Sequence, residues 1–214
     1  MCFVTNVFIN CPFDKNRIDK YLKPMFFCLV TNGLTPKIAL ESQDSGQLRI
    51  DKIVDLMKSS KYSIHDLSLL KLKRGAMEYA RMNMPYELGI DYGLRNSGQE
   101  LYEQKKFLIL GNKRYEYMKA LSDISGFDIQ NYNNSTEKLF ECMHSWLSSL
   151  QLQRIVPPAL IMHYDYISFN AWLYSKLLTT YGEEATKECL KDLTWSNYKL
   201  YIDEYIQLKE IDNQ

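Results

Sequence analysis

The 214-residue chain has no cysteine pair at metal-binding or disulfide-framework spacing. Its five cysteines (Cys2, Cys11, Cys28, Cys142, Cys189) are far apart, odd in number and form no Cys-x-x-Cys motif. Neither a zinc site nor a disulfide scaffold is indicated, and the reducing cytoplasm is the expected location. The three histidines (His65, His144, His163) show no ligand spacing, so no metal is expected. No apolar run approaches the ~20 residues of a membrane helix. The opening Met-Cys-Phe-Val-Thr-Asn has no basic segment ahead of a long apolar one, so no signal peptide is expected. Charge of one sign is also missing: 26 Lys and Arg face 26 Asp and Glu, which removes any global pull toward nucleic acid or anionic lipid. No Gly-x-Gly-x-x-Gly follows the first strand-like segment, and Asp44-Ser45-Gly46 is not a P-loop. Rossmann dehydrogenase and P-loop ATPase chemistry therefore lack their motifs.

What is present is an alternation of short apolar runs and helical patterns over residues 1–150. Phe3 to Asn10 is β-rich and stops at Cys11-Pro12. Residues 17–31 carry apolar side chains at helical spacing, and Asn32-Gly33 closes that helix where a left-handed residue is wanted. Leu34 to Leu40 reads as a second strand, followed by the polar loop Glu41 to Gly46 and a helix with Leu48, Ile53, Leu56 and Met57. Tyr62 to Leu67 is a third strand; a basic, poorly patterned loop (Leu70 to Asn83) leads into a helix near Met84-Pro85. Lys106 to Leu110 is a fourth strand, Phe127-Asp128-Ile129 a short fifth, and residues 135–150 a final helix. Strands alternating with helices imply parallel strands, and right-handed crossovers favour a flavodoxin-like three-layer α/β/α fold of four or five strands, order 2-1-3-4-5.

Residues 151–214 differ. Pro157-Pro158 marks a break, and the segment beyond reads as helical throughout, a C-terminal extension to the α/β domain at 1–150. It holds 10 of the chain's 28 aromatics, too many to leave exposed, so it is expected to pack on the core or on a second subunit, as a homo-oligomer or with a partner protein. Its 6 Lys and Arg against 9 Asp and Glu give net −3, which argues against a nucleic-acid-binding tail.

Sheets of this type bind ligands beyond the carboxyl ends of their strands. Three polar clusters fall there: Asn10-Cys11-Pro12-Phe13-Asp14, Glu41 to Arg49, and Asp66 with Asn83 to Gly89. Glu87 is placed in the first turn of a helix, where the dipole is expected to keep its carboxylate ionised, and Gly89 beyond it allows close approach. An ionised carboxylate suits attack on, or shielding of, an oxocarbenium-like sugar carbon, and Asp66 would hold a ribose hydroxyl or pass a proton to the leaving base. Capping alone also accounts for both residues. His65, alternating with Asp66, is expected on the opposite face, packed among helices. Arg49 at a helix start suits a phosphate, or pairs with Asp51 or Asp44. Lys71, Lys73 and Arg74 are a phosphate-steering patch or a solvated loop.

Phe8 to Asp14, Asp44-Ser45-Gly46 with Arg49, Tyr62 to Ser68, and Asn83-Met84-Pro85-Tyr86-Glu87-Leu88-Gly89 together resemble a bacterial family of small proteins related to nucleoside 2-deoxyribosyltransferases, distant cousins of TIR-domain NAD glycohydrolases. The resemblance covers roughly residues 3–150. It implies that Glu87, in the Glu-Leu-Gly that opens a helix, corresponds to the family's nucleophile and Asp66 to its strand-end aspartate. It further implies cleavage of the N-glycosidic bond of NAD or a related nucleotide, without a cofactor, by an effector of anti-phage defence. Asn10, Phe13, Asp14, Asp44, Arg49, Asn83, Tyr86 and Gly89 would contact the substrate. The family usually has Gly-Thr before its glutamate where this chain has Met84-Pro85-Tyr86. That difference leaves room for an inactive nucleotide-binding sensor or scaffold, and the aromatic tail for a structural subunit.

Overall fold

The structure is a computed structural model that describes residues 3–40, 46–69, 71–74, 77–114, 121, 124 and 126–212, with 71–74 and 77–80 described by their backbone. A 3-10 turn at Phe3–Thr5 precedes β1 (Asn6–Asn10); then come a short helix α1 (Lys15–Arg17), a π-helical turn at Ile18–Leu22 and α2 (Lys23–Thr31). The chain continues through β2 (Thr35–Lys37), α3 (Arg49–Lys58), β3 (Tyr62–Asp66), the pair β4 (Lys71–Arg74) and β5 (Met77–Ala80), and α4 (Asn83–Arg95). It ends with α5 (Glu100–Glu103), β6 (Lys106–Gly111), β7 (Gln130–Asn131), α6 (Thr136–Ser149), α7 (Ala159–Lys191) and α8 (Trp195–Asp212).

Five strands form one parallel sheet in the order β2-β1-β3-β6-β7. Apart from the inserted hairpin this is the order 2-1-3-4-5 that crossover handedness selects. The central strands β1 and β3 are buried end to end, and β6 over its last four residues, as expected for a sheet covered on both faces. Val7, Ile9, Ile64, Leu108 and Leu110 point to α2 and α6, whereas Phe8 faces Ile53 and Met57 of α3 and Ile109 faces Met84 and Leu88 of α4.

Several elements differ from the sequence expectation: Phe3–Thr5 is a 3-10 turn rather than strand, β2 is confined to Thr35–Lys37, and a π-helical turn interrupts the first helical stripe at Ile18–Leu22. The segment read as a basic loop contains an antiparallel hairpin, with Lys71 opposite Ala80 and Arg74 opposite Met77. Lys71-Leu72-Lys73 and Met77-Glu78-Tyr79 do alternate polar with apolar on either side of Gly75, but each run is only three residues long, too short for periodicity to separate a strand from a loop. The fifth strand lies at 130–131, just past the Phe127–Ile129 segment, because only Gln130 and Asn131 find register with Leu110 and Gly111.

The tail is helical as expected and packs on the chain's own core. Seven of the nine residues of α2 are buried, because its second face is covered. Phe26, Phe27 and Val30 meet Phe169, Leu173 and Leu177 of α7 and Tyr198, Ile202 and Tyr205 of α8. A helix this apolar all round requires cover on both sides, and α7 with α8 supplies the outer one. No described helix is long and apolar enough to cross a membrane.

Candidate functional site

At the carboxyl end of the sheet two polar systems sit on opposite faces of β3, because alternation sends Asp66 one way and His65 the other. Asp66 is buried and accepts from Arg17 Nη2 at 3.0 Å, from the Ser68 backbone N–H at 2.9 Å and from the Tyr132 hydroxyl at 3.2 Å. Arg17 also reaches Ser68 Oγ and Tyr132 Oη, and its guanidinium lies 4.8 Å from the Tyr21 ring centroid. Burial disfavours the Arg17 charge, but Asp66 and Tyr132 outweigh it and leave the guanidinium above its ordinary range. Burial likewise pushes the Tyr132 phenol up, assisted by Asp66. Asp66 thus engages three donors of its own chain and fixes Arg17 in a charge-assisted arrangement that anchors the guanidinium at the strand end.

On the other face, His65 is fully buried between the Phe8 and Phe107 rings. Its Nε2 lies 3.1 Å from Asp91 Oδ2 and its Nδ1 3.1 Å from Asn10 Nδ2, which also donates to the Met84 carbonyl. This pattern fits a neutral ring with its proton on Nε2, donating to an ionised Asp91. Asp91 in turn pairs at 3.0 Å with Lys105, whose ammonium donates to the Met57 and Ser60 carbonyls. Burial works against the Asp91 charge, yet His65 and Lys105 hold its carboxyl below the usual carboxylate range. Burial pulls the Lys105 ammonium below the ordinary lysine value despite Asp91. This buried chain ties β1, β3 and the start of β6 to α4 and so sets where α4 presents Glu87.

Glu87 is only 6% exposed. Since α4 starts at Asn83, Glu87 stands in the second turn rather than the first, beyond the free N–H groups of the helix end. Burial raises its carboxyl to about 7 against the pull of Arg49 and Arg81. The expectation of a dipole-held, fully ionised carboxylate is thus corrected: desolvation outweighs both cations. Arg49 stacks over Phe13, its guanidinium 5.8 Å from the ring centroid. Cys11 is buried within the electrostatic reach of Asp66, Arg17, Glu87 and Arg81, and burial drives its thiol up, which disfavours the thiolate a nucleophile needs.

Asn10, Phe13, Arg49, Asp66 and Glu87 are therefore brought to one edge. Other expected contacts are not. Asp14 is exposed and caps α1 through the Asn16 N–H at 3.1 Å. Asn83, Tyr86 and Gly89 lie on the exposed face of α4, and a Cβ at Gly89 would meet no atom within 4 Å, so no close approach explains that glycine. Asp44 lies outside the described residues, and the side chains of Lys71, Lys73 and Arg74 are likewise outside the description. Arg17, Arg81, Tyr132, Asp91 and Lys105 had not been singled out. Asp91 did carry a signal: with Met84 and Leu88 it completes the buried stripe of α4, an anomalous place for a carboxylate. Arg17 and Tyr132 are 115 residues apart and carried none.

Among the described residues no three His, Cys, Asp or Glu side chains gather as a metal site. A cavity of about 660 Å³ lies elsewhere, between the Lys15–Lys23 segment and the α7–α8 hairpin. Comparison with family models, with curated proteins and with solved structures finds no match to this chain.

Proposed function

We propose that the carboxyl edge of the sheet binds a nucleotide and cleaves its N-glycosidic bond, with Glu87 as nucleophile. The observation that carries this reading is the buried Glu87 carboxylate within the electrostatic reach of Arg49 and Arg81 at the strand ends. Burial strips water from the carboxylate and strengthens it toward a developing cation, while the two guanidiniums favour its ionised form and offer charge to a phosphate. Asn10 Oδ1 is buried without a hydrogen-bonding partner and suits a ligand hydroxyl.

The state of Asp66 narrows the substrate. A purine departs readily only when protonated, and Asp66 is held by Arg17, Tyr132 and Ser68 instead of standing free as an acid. A pyridinium leaving group needs no proton. In NAD, a Glu87 oxygen would bond to the ribose anomeric carbon as the carbon–nitrogen bond breaks, and the bonding pair would neutralise the departing nicotinamide. Water then displaces Glu87, giving ADP-ribose, a proton and the restored carboxylate. A role as an anti-phage effector rests on the family resemblance alone. Binding without turnover is the second reading, favoured by that same engagement of Asp66.

The test is base release from NAD and from nucleoside 5′-monophosphates by the wild type and by Glu87→Gln. The expected outcome is release from NAD by the wild type, reduced at least 10³-fold in the variant, as for loss of a nucleophile. Equal release by both rejects Glu87, and tight binding with no release by either establishes the second reading.

A further inference from the structure

Helix α7 carries an apolar stripe that the rest of the described chain leaves uncovered. Up to the break at Gly182, where φ is 79°, its outward face presents Leu160, Tyr164, Ile167, Ala171, Tyr174, Leu178 and Tyr181. The six large side chains among them are 38–59% exposed. Their spacing alternates four and three residues from end to end, a mean period of 3.5, which is the repeat of a left-handed two-helix coil rather than of a helix lying once on a core. The inward face is separately satisfied: Met162, Phe169, Leu173 and Leu177 are buried. Between Ala159 and Tyr181 the charged side chains are Asp165 and Lys176, and each turns to α8, Asp165 to Lys209 at 2.6 Å and Lys176 to Glu204 at 2.5 Å. The outward stripe is left without charge.

We propose that this stripe is the interface through which two copies of the chain pair, their α7 helices antiparallel and crossing near Ala171. A neutral face meets its own copy without like-charge repulsion, whereas it offers a differently charged partner nothing to recognise. In a parallel pair Tyr164, Tyr174 and Tyr181 would each crowd their own counterparts. The antiparallel arrangement sets the end bearing Leu160 and Ile167 against the end bearing Tyr174 and Tyr181, and the small Ala171 lets the helices approach near the two-fold axis. The exposed stripe would bury on the order of 700 Å² per copy, close to the ~800 Å² per partner of a standard-size interface. One closed two-fold contact uses the face completely and propagates no further.

The test is the mass of the full chain in solution by light scattering, for the wild type and for Tyr164→Glu combined with Leu178→Glu. Both positions are exposed, so the variant should keep its circular dichroism. The expected result is a two-chain mass for the wild type and a one-chain mass for the variant, with dissociation strengthened at least 100-fold. A second measurement does not depend on that variant folding: on mild oxidation Ala171→Cys should give a covalent dimer that Leu160→Cys does not. A one-chain wild type, a double variant that stays dimeric, or equal cross-linking at both positions would overturn the proposal. So would sedimentation of a one-chain wild type with anionic phospholipid vesicles, which would assign the stripe to a lipid surface.

Discussion

A glutamate enclosed by protein and flanked by two arginines is caught between desolvation and Coulomb attraction, and at Glu87 desolvation wins. Between its ordinary value of 4.5 and about 7, the folded chain keeps a proton at Glu87 that the unfolded chain has released. Folding stability from this group is therefore complete at low pH and is lost as pH rises across that window. Glu87→Gln removes the penalty. It should be more stable than the wild type at pH 8 by about 1–3 kcal/mol, the lower end allowing for solvent screening, with the difference closing toward pH 4.5. Thermal melts across pH check this, and parallel curves at all pH values would count against a buried, proton-holding Glu87. Turnover, which needs the ionised form, should rise with pH through about 7. Since Arg49 lowers the Glu87 value, Arg49→Ala should move that limb to higher pH and raise KM for NAD, separating it from a merely structural change. The Asp91–Lys105 pair is wholly enclosed. Lys105→Met strands a buried carboxylate and should cost about 3–5 kcal/mol in urea unfolding. These residues show the limit of a linear reading. Glu87 and Asp66 are visible as carboxylates at helix and strand ends, but what surrounds them is not: Arg17 and Tyr132 reach Asp66 from far along the chain, and the burial that governs Glu87 carries no local motif.

At the scale of elements, strand order followed from apolar runs separated by helical stripes, since crossover handedness leaves few alternatives for such a pattern. The hairpin β4–β5 stays hidden because each strand alternates over only about three residues, and β7 shifts because two residues of register carry almost no periodic signal. The π-helical turn at Ile18–Leu22, between α1 and α2, was absorbed into one helical stripe by eye. Burial of α2 on both faces makes the α7–α8 hairpin part of the core rather than an appendage. Phe169 is fully buried against Phe27 at 5.2 Å between ring centroids and against Tyr205 at 5.4 Å. Phe169→Ala should cost about 3–5 kcal/mol, in one cooperative transition that also loses the sheet signal. Two separated transitions would show instead that the hairpin unfolds as an independent unit.

For the whole molecule, the parallel sheet gathers polar groups from β1, β3 and the starts of α3 and α4 along one edge, where Asn10, Asp66 and Glu87 are buried and Arg49 is exposed. With no net charge overall, capture of a phosphorylated ligand on the proposed reading would rest on Arg49 and Arg81 locally, so its affinity should weaken with salt while folding does not. The central claim is that this edge breaks the bond between ribose and base. Its most direct test is to incubate the full chain with NAD at pH 8 and identify the products by chromatography and mass spectrometry. Nicotinamide and ADP-ribose in equal amounts are the predicted result. Nicotinamide mononucleotide with AMP would place the chemistry at the pyrophosphate, and unaltered NAD bound to the protein would make this edge a binding site without turnover; either would contradict the account.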